Sequence, residues 1–147
     1  MTSDIFEIEF IAVTTESAMA LIEECLNLSA SKTRPTRDDV IADIDNLDNE
    51  LPVYRVDSIP IGRHSLSAVL IKMEAAANSG VVVDLSFPIA EGDLSDKQLY
   101  EEIHQFSISL ADKHRIVDYY GGFEIAADRP TQVFSGPVKN TRFFEKP

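Results

Sequence analysis

Two runs of β-branched and aliphatic residues constrain this chain more than any other feature. HSLSAVLIKME (His64–Glu74) and VVVDLSF (Val81–Phe87) are separated by the turn-forming ANSG, and in the second run Val81, Val83, Leu85 and Phe87 alternate with Asp84 and Ser86. Period-two alternation on both sides of a short turn is the pattern of an antiparallel hairpin. The alternation also gives it one dry face and one polar face. Pro88 is expected to close the second strand.

The elements around the hairpin follow from the same periodicities. Ile5 to Val13 place Phe6, Ile8, Phe10 and Ala12 on one face and Glu7 and Glu9 on the other, a half-buried strand. With Thr14 or Thr15 as N-cap, ESAMALIEECLNLS brings Ala18, Met19, Ile22, Cys25 and Leu26 onto one helical stripe. Thr36, with Asp39 three residues on, opens a second helix by a loose capping box. Val40, Ile41, Ile44, Leu47 and Leu51 are expected to face inward along it, with Pro52 as its stop. VYRVD reads as a short strand and SIPIG as a break. In LSDKQL, Ser95 and Gln98 fit a capping box and Leu94 and Leu99 a hydrophobic staple, so a helix is expected from Asp96. Its stripe is Leu99, Ile103, Phe106 and Leu110, and Lys113, His114 and Arg115 suit its negative end. IVDYYGGFEIAA is a last strand with a bulge at Gly121 and Gly122.

Strand, helix, inserted acidic helix, hairpin strands, helix, strand is an α+β order. The specific expectation is a ferredoxin-like βαββαβ sandwich: an antiparallel sheet with the helices on one face, plus the inserted acidic helix. The chain is long enough for one core, burying roughly 68–70% of its unfolded surface. Residues 1–127 are therefore read as a single α+β domain and 128–147, with three prolines and four basic residues, as a C-terminal extension or tail. Phe143 and Phe144 of the tail are expected to dock on their own chain. The sheet face carrying Glu7, Glu9, Asp84 and Ser86 needs no cover and offers a docking surface.

Charge narrows the partners. With 25 acidic against 13 basic residues, the formal net charge is −12, which repels phosphate backbones and anionic headgroups and speeds association with a basic protein surface. Neither nucleic acid nor membrane is expected as a partner, and no apolar run approaches the ~20 residues of a membrane helix. A lone Cys25 on a helix stripe reads as a buried small hydrophobe in a reducing compartment. No basic segment precedes an apolar stretch at the start of the sequence, so a cytoplasmic location is expected.

Half of the net charge lies in DDVIADIDNLDNE, where Asp38, Asp39, Asp43, Asp45, Asp48 and Glu50 are accompanied by no basic residue. Calcium fits poorly. An EF-hand loop requires an oxygen ligand and then Gly where this chain has Leu47 and Asp48. In a helix, Asp43 and Asp45 also point about 200° apart. His64, His104 and His114 lack zinc spacing, His104 being read as a boundary or surface residue and His114 as a helix C-terminal one. No G-x-S-x-G elbow or phosphate-cradling glycine motif is present, so no catalytic residue, metal or cofactor is assigned. The six carboxylates, with Tyr119 and Tyr120, are the candidate partner-binding residues. One of the two tyrosines is expected in the core, since neighbours on a strand point to opposite faces.

The stretch LADKHRIVDYYGGFE, a helix running through a charged end into a Gly-containing aromatic strand, resembles the regulator-of-ribonuclease-activity B proteins. That resemblance implies a small acidic inhibitor that binds a ribonuclease. The general build is similar to that of toxin-neutralising immunity proteins. The expected function is a non-enzymatic acidic protein-binding module, an inhibitor or immunity-type protein masking a basic partner such as a nuclease or toxin. Two alternatives stand beside it: a small-molecule-binding domain or enzyme using Tyr119 or Tyr120 and His104 in a pocket between sheet and helices, and an assembly protein acting through the open sheet face. Oligomeric state is left open, a homodimer being one outcome.

Overall fold

The computed structural model describes residues 4–12, 14–29, 35–47, 49, 51–75, 80–116, 118–123, 132–135 and 142–143. They form β1 (Asp4–Ala12), α1 (Thr15–Leu28), α2 (Arg37–Asp45), β2 (Val53–Ile61), β3 (His64–Ala75), β4 (Val81–Ile89), α3 (Lys97–Lys113), β5 (Asp118–Phe123), β6 (Gln132–Ser135) and β7 (Arg142–Phe143). The sheet order is β2-β3-β4-β1-β5-β6-β7, every neighbouring pair antiparallel. An α+β fold with an antiparallel sheet is thus what forms. It differs from the four-strand βαββαβ arrangement in two ways. The middle of the chain is a three-stranded meander, β2 to β4, where that arrangement has a hairpin, and β6 and β7 continue the sheet beyond β5.

The dry face is the expected one. Phe6, Ile8 and Phe10 of β1, Val83, Leu85 and Phe87 of β4 and Tyr119 of β5 are buried beneath α1 and α3, together with Leu21, Ile22 and Cys25 of α1 and Leu99, Ile103 and Leu110 of α3. Aromatic rings centre this core: Phe6 packs against Phe87 at 5.6 Å, Phe134 at 6.0 Å and, edge-on, Phe123 at 5.2 Å. Phe134 comes from the segment read as a tail, and β6 carries it into the sheet. It fits only because Gly121 is opposite it. A Cβ on Gly121 would meet the Phe134 ring at 2.2 Å, and the pairing shifts register between Gly121 and Gly122, the expected bulge. The side chains of Phe143 and Phe144 lie outside the described ones.

Several helix and strand ends differ from expectation, each for a local reason. Asp96, not Ser95, caps α3: its carboxylate accepts from the N–H groups of Gln98 and Leu99. β4 runs through Pro88 to Ile89, since β3 pairs with it only as far as Ser86 and leaves Pro88 without a strand on that side. Pro60 likewise sits inside β2, which is an edge strand. α3 ends on Arg115 at a positive φ of 58°, and Ile116 N–H returns to Ala111 C=O at 2.8 Å. That is a Schellman closure without the usual glycine.

One irregularity shapes the molecule. Along β2 the buried residues run Tyr54, Val56, then Ile59, Ile61, and along β3 Leu66, then Val69, Ile71, Met73. Both strands change phase at the same level while keeping register, with Ala68 at φ 50°. The β2–β3 ribbon thereby bends, and its tip, Gly62 to His64, reaches α3.

Candidate protein-binding surfaces

The acidic helix is shorter than its sequence pattern. Thr36 caps it through a complete capping box, its hydroxyl accepting from Asp39 N–H while the Asp39 carboxylate accepts from Thr36 N–H at 3.0 Å. That hydrogen bond holds the Asp39 carboxyl below its ordinary value. α2 stops at Asp45 with Asn46 as C-cap, so the expected run to Leu51 is not continuous helix. Val40, Ile44 and Leu47 are buried, whereas Leu51, expected inward, is 66% exposed and Ile41 also faces solvent. The dipole explains the early end: Asp45 already sits at the negative end of the helix, and no basic residue follows in the last turn.

The six carboxylates therefore divide. Asp39 serves the cap. Asp43 accepts the Tyr54 hydroxyl at 2.5 Å, and burial, then this bond, pushes that phenol up from its ordinary value. Asp38 and Asp45 are exposed. Asp48 and Glu50 lie outside the described residues. Arg37 pairs with Glu23 at 3.3 Å and ties the start of α2 to α1.

The tyrosines separate as neighbours on a strand must. Tyr119 is 0% exposed, and burial pushes its hydroxyl up to about 12. Tyr120 points to the opposite, half-open face. His104, read as a boundary or surface residue, is instead buried on α3 and stacks on Phe134 at 4.5 Å. Burial lowers its pKa. Its partner ring arrives from beyond the bulge at Gly121, which no helical periodicity reveals. His104 and Tyr119 stand in an aromatic pack with Phe10 and Phe134. Cys25 is buried, and desolvation pushes its thiol up to about 12, the opposite of an activated nucleophile.

The ribbon tip makes a polar clasp that the sequence did not announce. Glu102 of α3 accepts from the backbone N–H of Arg63 at 3.0 Å and of His64 at 3.2 Å, and lies 2.8 Å from His64 Nδ1. His64 Nε2 lies 3.2 Å from Asp96, the cap of α3. The two carboxylates raise the imidazole's pKa, Glu102 foremost, and the imidazole lowers that of Glu102. Gly62, at φ 78°, leaves the room Glu102 needs. Beside the clasp a groove of about 560 Å³ runs between α1 and α3, lined by Glu24, Leu28, Glu102 and Phe106 among others. Two of its acids are engaged, Glu102 in the clasp and Glu24 with His114 at 2.5 Å and Lys113 at 3.3 Å.

The sheet face away from α1 and α3, where Ser86 is buried and Asp84 half-buried, has the least satisfied charge among the described residues. A row of directly opposed residues crosses it: Val53, Lys72, Asp84, Glu9, Tyr120 and Ser135. Glu7 and Glu74 flank the row on β1 and β3. Burial, then repulsion from Glu7 and Glu9, pushes Asp84 up to about 7, with Lys72 opposing in part. Glu9 is raised too, by burial and by Glu7 and Glu74. The alternation of the strands does foretell this face, though not its perturbed charge. Among the described residues, no helix is long and apolar enough to cross a membrane.

No curated protein matches the sequence. The fold is similar to that of a chain in the 1.75 Å crystal structure of the toxic C-terminal tip of CdiA from Pseudomonas aeruginosa in complex with immune protein. The TM-score is 0.73 at 19% identity, covering 91% of this chain and 95% of that one. The sequence itself, over residues 4–139, matches the family model described as PABL017 Cdi1I immunity protein. The chain therefore belongs to the Cdi1I immunity protein family.

Proposed function

We propose that this chain binds and neutralises the toxic C-terminal tip of a CdiA-type protein, without catalysis of its own, in the cytoplasm of the cell it protects. The observation that carries the reading is the family match over 4–139, supported by the likeness to a chain from a toxin–immune protein complex. The partner presents a basic surface, and the chain meets it with charge. Asp38 and Asp45 on α2, with Asp43 beside Tyr54, are the acidic residues of this helix that would meet it, and Tyr120 would contribute from the other sheet face. A net charge of −12 steers such a partner in and makes association salt-dependent.

The test is a calorimetric titration of the chain with the CdiA-type toxin tip encoded beside its gene. A saturable complex whose affinity falls as salt rises supports the reading. Absence of binding at low salt ends it.

A further inference from the structure

The acids of the molecule differ in what they already hold. Asp39, Asp43, Glu24 and Glu102 each have an internal donor. On the open sheet face, Oδ1 of Asp84 is buried and no hydrogen-bond donor reaches it among the described residues. A buried acceptor left without a donor is destabilising, more so when charged. Beside it is a hollow of about 220 Å³ whose lining includes Leu51, Val53, Lys72, Glu74 and Asp84. Leu51 at 66% and Val53 at 53% are strongly exposed large apolar side chains. Exposed apolar surface beside the unsatisfied Asp84 carboxylate suits one kind of group, a cation on an aliphatic stem. A bare metal ion would leave Leu51 and Val53 unused, and no group of three potential ligands gathers among the described residues.

We infer that the open sheet face receives a lysine or arginine side chain of the toxin partner, its stem on Leu51 and Val53 and its cation over Asp84 and Glu9. This rests on the reading of the chain as a toxin-binding immunity protein and names the surface it uses. Glu7 and Glu9 from β1 and Glu74 from β3 add to the attraction, and Lys72 from β3 opposes it. Binding of a cation requires Asp84 ionised, so the complex releases a proton when it forms near neutral pH.

The experiment is calorimetry with the adjacent CdiA-type toxin tip at pH 6 and pH 8 and fixed ionic strength, for the unaltered chain, Asp84→Asn, Leu51→Ser and Asp38→Asn/Asp45→Asn. Toward the unaltered chain the affinity is expected to rise roughly tenfold from pH 6 to pH 8, beyond any rise shown by Asp84→Asn, which isolates the Asp84 proton from groups on the toxin. Leu51→Ser is expected to weaken binding several-fold while keeping the rise, and Asp38→Asn/Asp45→Asn is expected to keep it as well. If the unaltered chain and Asp84→Asn bind equally with parallel pH dependence, the face is not the contact and the toxin reading stands. If the unaltered chain fails to bind at either pH, the toxin reading falls and this inference with it.

Discussion

Asp84 on β4 stands directly opposite Glu9 on β1, two carboxylates in register on the uncovered face of the sheet. Opposed like charges destabilise a sheet, and here burial foremost, then repulsion from Glu7 and Glu9, pushes Asp84 up to about 7. The folded chain therefore binds a proton at Asp84 between about pH 4 and 7 that the unfolded chain does not. Its contribution is unfavourable above that window and vanishes below it, so stability from this group falls as pH rises from 4 to 7. Asp84→Asn is expected to raise stability by about 1–2 kcal/mol at pH 8, after discounting for solvent screening, and by little at pH 4. Urea unfolding at the two pH values measures it. A cationic partner seated on the face would relieve the same repulsion.

The clasp of His64 with Glu102 and Asp96 contributes favourably where Asp84 does not. The raised imidazole stabilises the fold below its unfolded pKa, and this is lost as pH rises through the folded value. The lowered Glu102 stabilises above its unfolded pKa, and this is lost as pH falls through its folded value. His64→Ala is expected to lower the melting temperature more at pH 6 than at pH 9, which a thermal scan at both values checks. An equal loss at both would assign the clasp to packing alone.

Gly121→Ala is expected to destabilise by about 1–3 kcal/mol, because the added methyl meets the Phe134 ring and must displace β6 or the ring. Hydrogen exchange at residues 132–135 is the readout, with loss of protection concentrated there.

Arg115 occupies a left-handed position that glycine takes at most helix ends of this kind. Arg115→Gly is expected to stabilise by about 0.5–1 kcal/mol, the strain relieved less the added entropy of the unfolded chain. Ala68→Gly at the ribbon bend is expected to act in the same direction. Chemical denaturation midpoints at constant slope measure both.

Much of this molecule is readable from periodicity and caps. Phe6, Ile8 and Phe10 identify the dry face of β1, Thr14 and Thr36 both cap the helices they announce, and Gly121–Gly122 bulges as its sequence suggests. What is not readable depends on partners distant in sequence or on backbone states a residue does not advertise. Ala68 is no turn residue, so the bend that carries His64 to Glu102 leaves no sequence signal. His104 lies next to the expected stripe of α3, and only Phe134, brought in by β6, makes its site an interior one. Leu51 continues the apolar spacing of α2, but the helix ends at Asp45 and leaves Leu51 beside Val53 on the open face. The acids of Asp38–Glu50 drew attention by number. The structure places the least satisfied carboxylate, Asp84, on a strand where it is locally unremarkable.

As a member of an immunity protein family, the chain is an immunity-type inhibitor, and growth protection measures that role most directly. Cells induced to make the adjacent CdiA-type toxin tip are expected to stop growing alone and to recover fully when this chain is co-expressed, with Asp84→Asn protecting only at higher expression. Cells that remain arrested with the unaltered chain abundant and folded would contradict the account.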